Sequence, residues 1–358
     1  MRVCILGSGL SALTLAKALV NEKVFVDILA LNMKRKISQS RTIGISKSNF
    51  EYFNENLLNI QNIIWKLKKI EIYTENLKNE KILNFENKND QLFSILKNYK
   101  LNELLIKDLS KSKFFRKKNF KQELLENDAY SLIINTDFSS PLTKKFFSKN
   151  IIKIYNSLAY VTTIEHENIP NNIATQIFTK SGPLAFLPIS EKETSIVYSI
   201  YKSKNNKDEN ISDLIHRYNF KYKIKKIKKI ESFELKSFNL RSYYHNNILA
   251  FGDLLHRVHP LAGQGFNMTI RDIMTLTKII KNKINLGLPL DKSVNYEFEK
   301  KMKHKNLIFS TGVDFIQEIF NFERKIKSSI LSKSIQLVCK NQSLNKTFIK
   351  IADFGIGQ

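Results

Sequence analysis

The sequence predicts a mixed α/β protein in three parts: a parallel α/β domain, an antiparallel sheet inserted into it, and a helical C-terminal region. Three observations predict this fold class. A short apolar strand at the N-terminus runs into a glycine-rich turn and a helix. Strand-like runs separated by turns occupy residues 151–201, and helical apolar spacings continue from residue 267. A strand–turn–helix unit is typical of a parallel sheet, whereas consecutive strands are typical of an antiparallel one.

The first element is a strand, Met1-Arg-Val-Cys-Ile-Leu6, followed directly by Gly7-Ser-Gly9-Leu-Ser-Ala12 and a helical pattern. This is a G-x-G-x-x-A pattern between a strand and a helix, where a Rossmann-like dinucleotide-binding fold needs it. Gly7 makes the turn, Gly9 lets a pyrophosphate approach the helix N-terminus, and Ala12 permits close packing of helix on strand. We therefore expect a dinucleotide at this turn.

The second strand, Val24-Phe-Val-Asp-Ile-Leu-Ala30, lacks a residue that is usual in such folds. An Asp or Glu at its end ordinarily holds the adenosine ribose, and Ala30 stands at that place. Asp27 lies three residues earlier and belongs mid-strand by alternation. Ribose binding is therefore either supplied elsewhere or weaker.

The middle of the chain carries several strand runs rich in β-branched and aromatic residues. Turns such as Ser181-Gly-Pro183 separate them, which favours an antiparallel sheet of a different kind from the dinucleotide fold. We interpret this sheet as the substrate domain. The predicted strands are Ala159–Ile164, Ile173–Phe178, Leu184–Ile189 and Thr194–Ile200.

A second cofactor motif follows. The apolar run Asn247-Ile-Leu-Ala-Phe251 ends in Gly252-Asp253, and the turn Pro260-Leu-Ala-Gly-Gln-Gly265 then opens a helix that contains Asn267. Gly252 allows backbone to approach a ligand closely, and the Asp253 carboxylate can accept hydrogen bonds from sugar or ribityl hydroxyls. The glycines of the later turn leave N–H groups free at a helix N-terminus, where negative charge is favoured.

This stretch closely resembles the second flavin-binding motif of the aromatic-ring hydroxylases, and in particular of the ubiquinone-biosynthesis hydroxylases. The resemblance implies FAD in a Rossmann-like domain of the GR2 type. It also implies that NAD(P)H reduces the flavin, that O₂ adds to give a C4a-hydroperoxyflavin, and that the ring of a polyprenylated phenol is hydroxylated. Because the flavin performs this chemistry, no catalytic side chain is predicted.

The resemblance also implies roles for other residues. Arg41-Thr-Ile-Gly-Ile-Ser46 is similar to an element that lies along the flavin in this family, and Gly182-Pro-Leu-Ala-Phe-Leu-Pro188 is similar to the segment that covers it. We expect substrate contacts from Leu187, Pro188 and His256. The residues expected to bind the cofactor are Gly7, Gly9, Ala12, Arg41, Gly252, Asp253, Pro260, Gly263, Gln264, Gly265 and Asn267.

These assignments predict a discontinuous organisation. Residues 1–70, 91–150 and 240–290 form the FAD-binding domain, residues 71–90 and 151–239 form the substrate sheet, and residues 291–358 form the C-terminal helices.

One family motif departs from the usual pattern. The strand Tyr130–Thr136 runs into Asp137-Phe138, where the family has Asp-Gly, and residues 111–128 are interpreted as a charged loop rather than strands. A phenylalanine would hinder close backbone approach of a cofactor. An alternative interpretation is therefore a catalytically weakened scaffold or lipid-carrier subunit of a quinone-synthesis complex. An FAD-linked isoprenoid reductase or a halogenase fits the motifs less well.

Composition narrows the function classes. The chain has 358 residues with a net charge of +25, but its lysines are scattered and accompany no nucleic-acid-binding motif. His256 and His259 have metal-like spacing without further ligands nearby, so no metal is expected.

Two cysteines and the lack of a long apolar run predict a cytoplasmic protein, either free or peripheral on the inner membrane. A basic surface would favour an anionic membrane. The helical tail offers one amphipathic candidate for that contact, with Phe320 and Phe322 next to Arg324, Lys325 and Lys327.

Overall fold

The computed structural model describes residues 1–31, 37–75, 81–86, 91–121, 123–126, 130–202, 210–259 and 263–326, together with residues 333, 350 and 353. Its strands are β1 (Arg2–Leu6), β2 (Phe25–Ala30), β3 (Thr42–Ser46), β4 (Ile64–Leu67), β5 (Lys69–Thr74), β6 (Lys81–Glu86), β7 (Phe93–Lys97), β8 (Phe115–Asn119), β9 (Leu132–Asn135), β10 (Asn150–His166), β11 (Ile173–Thr179), β12 (Gly182–Pro188), β13 (Glu193–Tyr201), β14 (Ile224–Ile227), β15 (Glu231–Leu240), β16 (Tyr244–His245), β17 (Ile248–Ala250) and β18 (His256–Arg257).

The helices of the described chain are α1 (Leu10–Asn21), α2 (Lys47–Tyr52), α3 (Asn98–Leu109), α4 (Glu123–Glu126), α5 (Pro141–Phe146), α6 (Ile211–Tyr218), α7 (Gln264–Asn285) and α8 (Lys292–Ile326). Among them, none is both long and apolar enough to cross a bilayer. The several helical patterns expected after residue 290 form one continuous helix as far as Ile326.

The parallel domain is built on a sheet in the order β16-β17-β9-β1-β2-β8. Strands β17, β9, β1, β2 and β8 all run parallel, so their carboxyl ends share one edge. Helix α1 packs against α3 and α7, and α8 packs on α7. Buried side chains of β1, β2, β9, α1 and α7 join in one apolar core. The mixed α/β fold class predicted from the sequence is confirmed.

The second large sheet has the order β18-β15-β10-β13-β12-β11-β5-β6, with β14 beside β10. Its pairs are antiparallel except for β11 with β5. Strands β5 and β6 come from an early segment of the chain, and β18 comes from the segment between Gly252 and the start of α7. A three-stranded sheet, β3-β7-β4, belongs to the first hundred residues.

The charged segment expected to be a loop forms an edge strand, β8, which corrects that expectation. Lys118 explains why this segment pairs with β2, since its Nζ lies 2.8 Å from the Asp27 carboxylate. The Tyr130 hydroxyl donates to the same carboxylate at 3.0 Å. Asp27 is 1% exposed and lies mid-strand, as strand alternation predicts. A buried carboxylate needs such partners, so this ion pair favours β8 as the edge strand.

Replacing Lys118 with methionine should lower the free energy of unfolding by about 1–3 kcal/mol, because it leaves a buried carboxylate with one neutral donor. This loss of unfolding free energy is smaller than for a fully enclosed ion pair, because 36% of the Lys118 side chain is exposed. The matched control is Lys202→Met, whose pair with Glu234 is about half exposed on both sides. This control substitution should lower the free energy of unfolding by less than about 0.5 kcal/mol. Equal denaturation midpoints for the two variants would contradict the expectation.

Candidate functional site

The two glycine-rich turns of the sequence lie side by side at the carboxyl edge of the parallel sheet. Strand β1 leads into Gly7, and β17 leads into Gly252. Strand β9 lies between them, pairing with β1 on one side and β17 on the other. Backbone bonds extend this alignment past the strand ends, from Thr136 N to Leu6 O at 2.9 Å and from Phe251 N to Asn135 O at 2.8 Å. Ligands of open α/β sheets bind at this edge.

The first turn has the features that a pyrophosphate requires. A Cβ on Gly7 would come within 2.4 Å of Thr136 Oγ1, so only glycine fits between β1 and the end of β9. A Cβ on Gly9 would meet nothing within 4 Å, which leaves the space beside it open. Gly9 caps α1 without any side-chain hydrogen bond to the first N–H groups. Ala12 is fully buried and packs α1 on the sheet. The helix N-terminus therefore presents free donors to open space.

The second turn packs directly on this helix. A Cβ on Gly252 would lie 2.7 Å from Ser11 Cβ, so the two motifs touch through their backbones. The next residue, Asp253, is exposed on a short 3₁₀ turn. Its carboxylate has no partner within the described residues, which leaves it free to accept hydrogen bonds from a ligand.

The start of α7 is a third group of donors. Gly263 caps this helix in the left-handed conformation, with φ of 66°, which glycine adopts readily. No side chain caps the helix, and the Gln264 side-chain oxygen is buried without a hydrogen-bond partner. Gly265 follows in the first turn, whereas Pro260 lies outside the described residues. An orphaned polar atom beside uncapped N–H groups fits a polar ligand at this position.

Asn267 fixes this helix start to the small sheet. Its Oδ1 accepts from Ser46 N and Asn49 Nδ2, both at 2.9 Å. Its Nδ2 donates to Gly44 O at 3.1 Å and to Gly263 O at 3.2 Å. The amide is fully buried and occupied by the protein. These contacts shape the turn at the start of α7, and the predicted contact of Asn267 with the cofactor stays a prediction.

Arg41 connects the cofactor domain to the large sheet. Its guanidinium carbon lies 4.8 Å from the centre of the Phe233 ring on β15. The next residue, Thr42, shares a hydrogen bond of 2.8 Å with Ser195 of β13. Sequence reasoning did not identify this contact, because the two residues lie 153 positions apart.

The substrate residues predicted from the sequence lie near this junction. Leu187 and Pro188 end β12, and their register partners on β13 are Ser195 and Thr194. Leu187 packs on an apolar cluster that joins the small sheet to the large one, made of Leu67, Phe93, Ile95 and Ala174. The end of β12 is therefore held close to β3, the strand that contains Gly44.

His256 has a protein partner instead of an open face. Its Nε2 lies 2.5 Å from Asp272 Oδ2 of α7, and Asn306 of α8 donates to the other carboxylate oxygen at 2.9 Å. All three side chains are buried. This network satisfies one ring nitrogen of His256, whereas Nδ1 is buried without a hydrogen-bond partner. The predicted substrate contact of His256 stays a prediction.

His259 is a buried histidine whose role the sequence did not suggest. Both ring nitrogens lack hydrogen-bond partners, and the Tyr155 ring meets it edge-on at 5.0 Å. Burial lowers the pKa of His259 to about 3, so the ring is neutral.

No group of three or more potential metal ligands comes together within the described ranges.

Phe138 occupies the position where the family has glycine. Its ring meets Phe238 edge-on at 5.5 Å, and the Arg257 guanidinium lies 4.6 Å from its centre. The side chain therefore turns away from the strand end onto β15 and β18. Its neighbour Asp137 uses its carboxylate to bind the Ser139 backbone at 2.9 Å.

Comparison with known proteins supports a flavin at this edge. Residues 148–285 match the family model described as FAD binding domain. The mitochondrial ubiquinone biosynthesis monooxygenase COQ6 of Danio rerio is 24% identical over 233 residues, which are 53% of this chain and 48% of that protein. The 3-demethoxyubiquinol 3-hydroxylase of Escherichia coli K12 is 25% identical over 174 residues, 47% of this chain and 44% of that enzyme. The chain thus spans about half the length of the curated relatives it matches.

Solved structures share the fold over nearly the whole chain. The p-nitrophenol 4-monooxygenase PnpA of Pseudomonas putida superposes with a TM-score of 0.76 at 12% identity, covering 97% of this chain and 96% of that one. HpxO of Klebsiella pneumoniae, solved with FAD and uric acid, gives 0.76 at 11% identity, with 98% and 96% covered. The open space at Gly9, the free Asp253 and the uncapped α7 all fit FAD. The resemblance seen in the sequence is thus confirmed: the chain carries a match to an FAD binding domain and is similar over about half its length to the FAD-dependent hydroxylases of ubiquinone biosynthesis.

Proposed function

We propose that this flavoprotein is a monooxygenase that hydroxylates the aromatic ring of a polyprenylated phenol in ubiquinone biosynthesis, using NAD(P)H and O₂. The observation that carries the proposal is the meeting of Gly9 and Gly252 at one sheet edge, with the start of α7 and the end of β12 both held against the small sheet. The names of the curated relatives support the quinone pathway.

Each part of the site has a physical task in this proposal. The free N–H groups of α1 bind the pyrophosphate of FAD, and Asp253 accepts hydrogen bonds from its hydroxyls. The uncapped start of α7 stabilises negative charge on the flavin ring. When bound, FAD would supply the redox chemistry that hydroxylation with NAD(P)H and O₂ requires.

The protein must also hold the phenol and exclude water. The apolar cluster around Leu187 gives a dry wall where the small sheet meets the large one. Two polar contacts hold this junction: the hydrogen bond between Thr42 and Ser195, and the ion pair between Lys97 and Glu193 at 2.7 Å. A fixed junction keeps ring and flavin in a constant orientation.

We further propose that the protein meets its lipid-like substrate at an anionic membrane surface. We define the α8–β10 corner by its exposed apolar side chains: Ile151, Ile152, Ile154, Phe315, Ile316 and Phe322. Tyr155 and Lys153 of β10 bind Asp314 and Glu318 of α8, which brings the two elements together. Two copies of a chain with a net charge of +25 repel each other, whereas an anionic lipid surface attracts a chain of this charge.

The second candidate function is a weakened, hydroxylase-like scaffold or lipid carrier. The residue type at position 138 favours it, because a phenylalanine stands where the family has a glycine, and its ring packs onto Phe238 and Arg257. Both functions require FAD and the same fold, so only turnover distinguishes them.

Replacing Asp253 with alanine should raise the dissociation constant for FAD about ten- to hundredfold, because the change removes a charged hydrogen-bond acceptor. Titration of apoprotein with FAD, followed by flavin fluorescence, measures the effect. Asp213→Ala, in the first turn of α6, is the control and should bind FAD normally. Unchanged affinity in D253A would remove Asp253 from the site.

Reduction of the bound flavin tests the activity. On anaerobic mixing with NADH or NADPH and a short-chain prenylated phenol, we expect the visible absorbance of the oxidised flavin to bleach. Admitting O₂ should then give a product heavier by one oxygen atom in mass spectrometry. FAD that neither nucleotide reduces would favour the scaffold instead.

Membrane binding is tested with vesicles of anionic phospholipid. Phe315→Ser should reduce co-sedimentation several-fold, because it removes a large apolar anchor from the α8–β10 corner. Phe220→Ser is the matched control, since both rings are 62% exposed and Phe220 lies beside Tyr73 on the large sheet. Equal loss in the two variants, or no binding by the unmodified protein, would contradict the membrane proposal.

A further inference from the structure

We propose that Asn119, at the end of β8, binds the adenosine ribose of FAD in place of the acid that β2 lacks. Strand β8 was not expected from the sequence, and Asn119 was not among the predicted cofactor residues. The inference concerns the adenosine half of the cofactor, so it does not depend on which reaction the flavin performs.

The register of the parallel sheet places Asn119 beside the missing acid. Ala30 is the last residue of β2, and its partner on β8 is Asn119. Phe120 N donates to Ala30 O at 3.1 Å, so the two strands stay paired to their ends. Register partners point to the same face, about 4.8 Å apart. The Asn119 side chain therefore lies next to the position where the ribose-binding acid usually stands.

Strand β2 itself offers no acceptor to a ribose. Ala30 has only a buried methyl group. Asp27 is the acid of this strand, but its carboxylate is buried and already binds Lys118 and Tyr130. An acid in the strand interior therefore holds the sheet together and is not free for a ligand.

Asn119 has the chemistry that the site requires. Its side chain is exposed and makes no hydrogen bond to any described residue. A carboxamide offers one acceptor oxygen and two donor hydrogens, so it can bind both hydroxyls of a ribose diol. It stands at the same carboxyl edge as Gly9, where the pyrophosphate is expected.

The neighbouring ion pair keeps Asn119 in place. Lys118 precedes it in β8 and reaches across to Asp27, and Tyr130 binds the same carboxylate from a third segment. An edge strand made of charged residues would otherwise fray at its end. The pair therefore holds the strand whose last residue binds the ribose.

The test compares FAD with FMN, which carries the flavin but no adenosine. Titrating apoprotein by flavin fluorescence, we expect Asn119→Ala to raise the dissociation constant for FAD about three- to tenfold and to leave that for FMN unchanged. Asn119→Asp should retain FAD affinity, because a carboxylate also accepts from a diol. Asn84→Ala, on β6 of the large sheet, is the control and should affect neither flavin.

Three outcomes would overturn the inference. These are an unchanged FAD affinity in N119A, an equal loss for FAD and FMN, and a loss in N119D as large as in N119A. An N119A protein with normal FAD affinity that still hydroxylates the phenol would refute this inference alone. An unmodified protein that binds FAD but is never reduced would refute the proposed hydroxylation alone.

Discussion

The cofactor site depends on strand β17 pairing with β9, which in turn pairs with β1. This parallel alignment brings together two turns that lie about 240 residues apart in the sequence. Without it Gly252 could not pack against Ser11, and Asp253 would not face the same edge as Gly9. Through β17, β9 and β1, the two glycine-rich turns come together at one edge of the sheet. The surrounding helices bury the apolar faces of this sheet and keep its carboxyl edge open.

Asn267 performs a similar task between the small sheet and the start of α7. Its four hydrogen bonds join Gly44, Ser46, Asn49 and Gly263, and a Cβ on Gly263 would lie 3.1 Å from Gly44 N. The turn at Gly263 therefore packs closely against β3, and this close contact leaves little room for a larger residue at position 263. Since β3 also contacts the large sheet through Thr42 and Ser195, a shift of α7 would also move the junction between the small sheet and the large sheet.

Two departures from the family pattern have different physical consequences. At the end of β2 the usual acid is absent, and the chain instead places a carboxylate inside the strand, where Lys118 and Tyr130 satisfy it. At Phe138 an aromatic ring replaces a glycine, but the ring packs outward onto Phe238 and Arg257. The first departure removes a carboxylate from the end of β2, whereas the second places a large ring against β15 and β18.

The sequence by itself determined the strand–turn–helix units, the inserted strands and the identity of the cofactor, because these depend on residues close together in the chain. Gly7 and Gly263 have φ of 108° and 66°, a backbone conformation that few other residues adopt. Only the tertiary structure decided that β8 is a strand and that the Asn267 side chain makes its hydrogen bonds to other protein groups. Those outcomes depend on partners 91 and 223 residues away, and no local pattern encodes such pairings. Burial then settled the state of His259, since a neutral ring results from an environment that several distant segments create.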